Sequence, residues 1–249
     1  MNGSHEVKNI PEPLVIDPDE VHLWTTRLDV PPAQQKIWEL YLSSDEMQRA
    51  ARFHFERDQN HFIVARGVLR KILSYYTQKK PYEIRFDYNK YGKPLLPPEQ
   101  GGRQLHFNLS HSAGICVYAV AYQREVGVDI EYIRPDFSEL EIAERFFSPD
   151  EVKVLRSLPA AEQKTAFFLC WTRKEAFIKA KGQGLSIPLD QFDVSLVPGL
   201  PAKLLRTRYD HYEVHRWSLF NIDSFPGYAG AVAVAGRNCQ LKYQYSSEF

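Results

Sequence analysis

Three short runs place acids, bases and hydroxyls at spacings suited to phosphate chemistry. The first is Gly127-Val128-Asp129-Ile130-Glu131. Val126, Val128 and Ile130 alternate with small or polar residues, the period of a β-strand, so Asp129 and Glu131 project to one side. Neighbouring carboxylates repel unless something neutralises them. Mg²⁺ characteristically takes one or two protein carboxylates together with phosphate oxygens and water. A solvent-facing strand carries the same D-x-E pattern, so the spacing alone leaves both readings open.

The second run is Trp171-Thr172-Arg173-Lys174-Glu175-Ala176-Phe177-Ile178-Lys179. On a helix Glu175 and Lys179 lie four apart and share a face. Phe167, Cys170, Trp171, Phe177 and Ile178 fill the adjoining arc, which is expected to be buried. Glu175 and Lys179 then flank it, at a margin where a cleft can open. A surface ion pair worth about 0.3–0.5 kcal/mol is the competing account of that pair. Lys174 points into the apolar arc, where it must snorkel or meet a buried acid. The third run, Phe107-Asn108-Leu109-Ser110-His111-Ser112, offers hydroxyls, an imidazole and loop amides suited to phosphate, or simply a polar turn. A Ser-His nucleophile is disfavoured, because no G-x-S-x-G turn surrounds Ser110. Upstream, Lys90-Tyr91-Gly92-Lys93-Pro94 lets backbone approach a ligand beside two lysines, but it is not a P-loop.

These runs need elements to hold them. Helical spacing of Phe62, Ile63, Val68, Leu69, Ile72 and Leu73 predicts a helix over about 57–76. A second helix is expected over about 161–181, ended by Gly182-Gln183-Gly184. Strand-like stretches fall at Ile84–Tyr88, Ile115–Tyr122, Tyr212–Phe220 and Tyr228–Ala235, with a proline-bearing extended stretch at Ile187–Leu196. The order helix, glycine turn, strands and an Ala/Val-rich closing strand thus occurs twice. It predicts two similar halves that meet near Gln123–Val126.

Composition supports a globular chain. Of 249 residues, 44% are hydrophobic and 25% charged, which excludes a mainly disordered or collagen-like chain. Thirty-one Lys and Arg balance 31 Asp and Glu, against a uniformly basic nucleic-acid binder. The balance is local cancellation: Arg49–Lys93 holds eleven bases and four acids, whereas Glu125–Glu151 holds nine acids and two bases. Cys116, Cys170 and Cys239 are odd in number and far apart, which argues for reduced thiols in a cytoplasmic setting. The opening run Met1–Val15 lacks the pattern of a secretory signal, and the apolar run Tyr228–Gly236 is too short to span a bilayer. Proline-dense Ile10–Asp17 and Pro94–Pro98 read as surface segments, and the polar tail after Arg237 as peripheral.

Together the runs resemble the 4′-phosphopantetheinyl transferase superfamily, in its double-length, surfactin-synthetase-activating type. The family pattern G-[VI]-D-[IL]-E, R-F-F-S-x-x-E and W-x-x-K-E-[AS]-x-x-K is met at Gly127–Glu131, Arg145–Glu151 and Trp171–Lys179. The upstream F-N-[IL]-S-H-S and Y-G-K-P elements are met at Phe107–Ser112 and Tyr91–Pro94. The resemblance spans roughly Arg49 to Asp193.

The resemblance implies an α+β fold of two similar subdomains related by a pseudo-twofold, residues 1–124 and 125–249, with the active site in the cleft between them. It implies coenzyme A as co-substrate and Mg²⁺, with Mn²⁺ as the alternative ion. Asp129, Glu131 and Glu175 match the metal ligands. Glu175 also matches a proposed base, a role that Glu151 or a bound water could take instead. Lys179 matches the residue that contacts the coenzyme A pyrophosphate and assists the leaving group, and Glu151 a further acid of the site. Ser110 and His111 fall at the 3′-phosphate region, Tyr91, Gly92 and Lys93 near the adenine, Arg49 matches a basic residue that reaches a coenzyme A phosphate, and Asn108 is a further cofactor-binding candidate. Where some members carry an arginine three residues after the equivalent of Asp58, this chain has His61; Arg52 and Arg66 are the candidates to compensate.

The implied reaction moves 4′-phosphopantetheine from coenzyme A to a serine of an acyl or peptidyl carrier protein, leaving 3′,5′-ADP. A monomer in the cytoplasm is expected, with no nucleic-acid or membrane partner. The basic block Arg49–Lys93 is a candidate surface for an acidic carrier helix. The rival from another class is a coenzyme A-binding docking module without catalysis, which would need no intact acid and lysine set. An ATP-dependent Mg²⁺ phosphotransferase is a second rival, but its P-loop or kinase motifs are absent.

Overall fold

The computed structural model describes residues 13–101, 104–136 and 138–245. Residues 1–12 of the opening run and 246–249 of the polar tail lie outside them. Strand β1 (Glu20–Arg27) comes first, followed by helices α1 (Pro32–Glu39), α2 (Ser44–Ala50) and α3 (Glu56–Thr77). Strands β2 (Asp87–Tyr88), β3 (Pro94–Leu95), β4 (Leu105–Ser112), β5 (Ile115–Tyr122) and β6 (Val126–Tyr132) follow. Helices α4 (Glu139–Phe146), α5 (Pro149–Ser157) and α6 (Ala160–Lys181) lead to β7 (Phe192–Val194) and β8 (Leu204–Thr207). The chain closes with α7 (Glu213–Arg216), β9 (Trp217–Asn221), β10 (Tyr228–Ala235) and β11 (Gln240–Tyr243). The fold is α+β, as expected. Two compact units emerge, one built on Val30–Arg85 and the other on Ile16–Asp29 with Phe86 onward.

In the first unit α3 supplies the buried face, with Ile63, Val64, Val68, Leu69, Ile72 and Leu73 all at most 3% exposed. Glu46 on α2 is buried between Arg66, at 3.0 Å, and Arg70, at 2.7 Å. Arg66 therefore pairs with an acid of its own unit.

The second unit contains two larger sheets, ordered β11-β1-β5-β4 and β6-β10-β9. All pairs within them are antiparallel except β1 with β11. Val21 and Leu23 of β1, Val117 and Ala119 of β5, Val126, Val128 and Ile130 of β6, and Val232 and Val234 of β10 form one core between the sheets. The alternate residues of β10, Ala229, Ala231 and Ala233, join the core around α6 instead. Period-2 alternation thus buries both faces of β10, with branched side chains toward the second sheet and small ones toward the helix.

Small residues bring α6 close. A Cβ on Gly127 would lie 2.2 Å from the Ala176 carbonyl oxygen and 2.3 Å from the Ala180 nitrogen. Backbone cannot yield as a side-chain tip can, so only glycine permits this approach of β6 to α6. Helix α6 ends at Gly182, whose φ of 65° suits a left-handed cap.

Two expectations of local structure are corrected. Phe107–Ser112 is not a polar turn but part of β4, because Leu105–Ser112 pairs along its length with β5. Tyr212–Phe220 is not one strand: Glu213–Arg216 forms the helical turn α7 before β9 begins at Trp217. The Glu213 carboxylate accepts from the Trp217 indole at 2.9 Å and the Lys181 ammonium at 2.9 Å, which ties that turn to α6.

Candidate active site

Strand β4 lies beside β6 without a shared backbone ladder, and polar side chains bridge the gap. Asn108 Oδ1 accepts from the Val128 amide at 2.9 Å. Two residues on, Ser110 Oγ donates to Asp129 Oδ1 at 2.8 Å. Two further on, Ser112 Oγ donates to Glu131 Oε2 at 2.8 Å. The N-x-S-x-S alternation of β4 thus serves the D-x-E alternation of β6. The predicted common side for Asp129 and Glu131 is realised, and each carboxylate has its own serine.

Helix α6 adds the cation. Lys179 Nζ donates to Asp129 Oδ1 at 2.6 Å and to Ser110 Oγ at 3.0 Å. Its side chain keeps 29% exposure while that of Asp129 keeps 3%. Asp129 Oδ2 is buried without a hydrogen-bond partner. Glu175, one turn earlier, has its carboxyl pushed up to about 7 by burial, with Asp129 and Glu131 adding to the rise and Lys179 opposing it. Glu131 is raised by burial, with Ser112 pulling the other way. Three acids and one lysine of the predicted set therefore converge, along with Ser110 and Asn108.

Donor chemistry here fits a hard divalent cation: carboxylate oxygens predominate, one is orphaned, and two acids are held above their ordinary range. The Lys179 ammonium supplies the counter-charge to Asp129 as the chain stands. Among the described residues, no group of three or more His, Cys, Asp or Glu side chains is already arranged to hold a metal. Phosphate oxygens or water would have to complete the coordination.

Other predicted residues have different surroundings. His111, exposed, occupies the alternate position of β4 from Ser110. Tyr91 is exposed, with the Lys90 ammonium 4.9 Å from its ring centroid, and Gly92 adopts φ 83° in the turn between β2 and β3. Lys93 caps α6: its ammonium donates to the carbonyls of Lys179 at 2.7 Å, Ala180 at 3.1 Å and Val126 at 3.1 Å. Burial lowers the Lys93 pKa to about 8. Arg49 belongs to the other compact unit, where its guanidinium lies 5.4 Å from the Phe62 ring centroid.

Glu151 stands apart from the Asp129 cluster's bonds. Its Oε1 accepts from the Val194 amide at 2.8 Å, and its Oε2 accepts from the Ser148 amide at 2.9 Å and Lys174 at 2.8 Å. Ser148 Oγ accepts in turn from the Glu151 amide, completing a capping box at the start of α5. Of the two readings open for Lys174, it meets a buried acid, Glu151, rather than snorkelling. Ser112 belongs to the Ser-His-Ser run but is not among the site residues that the resemblance implies; its place two after Ser110 on a strand is the signal for its role.

Known proteins resemble this chain over much of its length. A family model described as the 4′-phosphopantetheinyl transferase superfamily matches residues 125–233, and one described as 4′-phosphopantetheinyl transferase, N-terminal, matches residues 31–123. The 4′-phosphopantetheinyl transferase HetI of Nostoc sp. is 41% identical, over 94% of this chain and 96% of its own length. The 4′-phosphopantetheinyl transferase ffp of Bacillus subtilis is 37% identical over 68% of this chain and 74% of its own. The 4′-phosphopantetheinyl transferase Sfp of Bacillus subtilis strain 168 is 36% identical over 63% and 67%. Likeness of this extent, across nearly the whole chain in one case, places the protein in the 4′-phosphopantetheinyl transferase superfamily.

Proposed function

We propose that the chain transfers 4′-phosphopantetheine from coenzyme A to a serine hydroxyl of an acyl or peptidyl carrier protein, releasing 3′,5′-ADP. The observation that carries this reading is the junction of Asp129, Ser110 and Lys179, with Glu131 and Glu175 beside it. That junction combines a buried, half-satisfied carboxylate with a lysine that remains partly exposed. Cations and carboxylates so arranged suit a pyrophosphate, whose cleavage depends mainly on positioning and charge neutralisation.

In the proposed reaction the serine oxygen bonds to the phosphorus that carries pantetheine. The P–O bond to the nucleotide phosphate breaks, and its electron pair leaves on 3′,5′-ADP. Lys179, anchored by Asp129 and Ser110, offers positive charge to the departing phosphate. The serine proton passes to Glu175, directly or through a water. Asp129, Glu131 and Glu175 would hold Mg²⁺ or Mn²⁺, which supplies charge neutralisation at the pyrophosphate when bound. Glu151 contributes by holding α5 and β7 in place. Arg49, Tyr91, Gly92 and His111 are proposed coenzyme A contacts, and the basic block Arg49–Lys93 a docking surface for an acidic carrier helix.

We further infer a cytoplasmic monomer acting on carrier proteins. No helix among the described residues is long and apolar enough to cross a membrane. Incubation with apo-carrier protein, coenzyme A and Mg²⁺, followed by mass spectrometry of the carrier, tests the reading. The expected result is a mass gain of one phosphopantetheine group. Coenzyme A binding without any adduct on several carriers would overturn it in favour of a docking module.

A further inference from the structure

The two serines of β4 are tied down differently. A hydroxyl has one proton to give and lone pairs to receive. Ser110 Oγ receives from a partly exposed side-chain ammonium, Lys179, at 3.0 Å. Ser112 Oγ receives from the backbone amide of Tyr132 at 3.1 Å. With that amide bound, the Ser112 proton has a single carboxylate to serve, Glu131 Oε2 at 2.8 Å.

The chain around Ser112 is also tied by backbone pairing and hydrogen bonds. It is the last residue of β4, paired with Ile115 across a two-residue turn. Ala113 and Gly114 there have φ of 43° and 84°, the signature of a type I′ hairpin turn. Alanine is a poor residue for that conformation, which costs roughly 1–2 kcal/mol. Its surroundings hold it there: the Tyr228 hydroxyl donates to the Ala113 carbonyl at 2.9 Å, and the Leu28 amide to the Gly114 carbonyl at 2.8 Å. Strain kept beside reactive groups is a mark of preorganisation.

We propose that Ser112 is a positioning residue for Glu131: it fixes Oε2, and with it the carboxylate plane, so that the remaining oxygen is presented to a divalent cation. The role rests on the reading of Glu131 as a metal ligand. It acts through the glutamate and requires no contact between Ser112 and coenzyme A. Hydrogen bonds of this kind to a ligating carboxylate are commonly worth 10–100-fold in metal affinity.

Ser112→Ala separates the possibilities. We expect about tenfold or more weaker Mn²⁺ binding in the presence of coenzyme A, read by electron paramagnetic resonance. The Mg²⁺ concentration for half-maximal transfer should rise by a similar factor, and the lost rate should return at high Mg²⁺. Ser112→Thr, which keeps the hydroxyl, should restore wild-type metal affinity. It also serves as the test if the alanine variant does not fold, since a Thr variant with weakened Mn²⁺ binding would overturn the proposal. Wild-type Mn²⁺ affinity in Ser112→Ala, or a rate loss that Mg²⁺ does not relieve, overturns the positioning role alone. Wild-type protein that transfers nothing overturns the transferase reading and this role with it.

Discussion

Lys174 and Lys179 leave the same helix about 140° apart, and each meets a buried acid. The Lys174 ammonium is fully buried, 2.8 Å from Glu151, 2.7 Å from the Leu189 carbonyl and 2.6 Å from the Phe192 carbonyl. Both oxygens of Glu151 are likewise engaged. The Lys179 ammonium is partly exposed, and its acid keeps one buried oxygen unpaired. A saturated pair has nothing left to offer a ligand and serves to anchor loops to a helix. An unsaturated pair beside two further acids holds bonding capacity in reserve. The two acids are equally buried, at 3% exposure each, so completeness of hydrogen bonding and exposure of the lysine, rather than charge, separate the two ends of the same motif.

The saturated pair predicts the largest effect. Truncation in Lys174→Ala leaves Glu151 buried and two carbonyls unmet, and should cost about 3–5 kcal/mol of stability in urea unfolding. Replacing both partners by apolar residues would not recover this, because the Ser148 and Val194 amides would lose their acceptor. Native-like stability in Lys174→Ala would erase the distinction between the pairs.

At the unsaturated pair the loss should fall on chemistry instead. Asp129→Asn should lower transfer by about 10²–10³-fold, a range typical of removing one preorganised electrostatic group. Its unfolding midpoint should stay well above that of Lys174→Ala. A variant that transfers normally in excess Mg²⁺ would remove Asp129 from the metal and lysine roles together. Gly127→Ala tests the link between the strand and the helix that carry the pair. Its methyl would meet α6 backbone at 2.2 Å, so stability should fall by about 1–3 kcal/mol. Transfer should fall with it, because the strand bearing Asp129 and the helix bearing Lys179 must part. Loss of stability without loss of transfer would show that the junction tolerates such a shift.

Local periodicity carried much of this arrangement. Helix α6 begins and ends within a residue of the expected 161–181, and β5 and β10 fall at Ile115–Tyr122 and Tyr228–Ala235 as read. Asp129 and Glu131 share a side because alternation is a property of the strand itself. Lys174 showed its need for a partner by its place in an apolar arc. Which acid answers it depends on how α5 packs, and no periodicity in α6 records that. Ser-His-Ser looked like a turn because its residues are common in turns, whereas ladder pairing with β5 decided the outcome. Periodicity assigned no element before Arg57, yet β1 sits at the centre of a sheet, flanked by β11 from the end of the chain. Such pairing is long-range and has no local signature.

Glu175 and Glu151 give the comparison its finest test, through opposite responses to losing a charge. In metal-free buffer the Glu175 carboxyl is held near 7 rather than 4.5, chiefly by burial. The folded state then binds more protons than the unfolded state between those two values, so stability falls as pH rises through the window. The Gln variant carries no charge to bury. Glu175→Gln should therefore be more stable than the wild type above pH 7, by about 1–2 kcal/mol after allowance for solvent screening. The gain should vanish below pH 4.5, where the glutamate is protonated in both states. Glu151→Gln should do the reverse and lose stability at neutral pH, since the Lys174 ammonium would face an uncharged amide. Urea unfolding of both variants at pH 4.5 and pH 7.5 reads the two signs directly. If Glu175→Gln gains nothing at pH 7.5, its carboxylate is as well satisfied as that of Glu151, and the site holds no unspent charge for a ligand to neutralise.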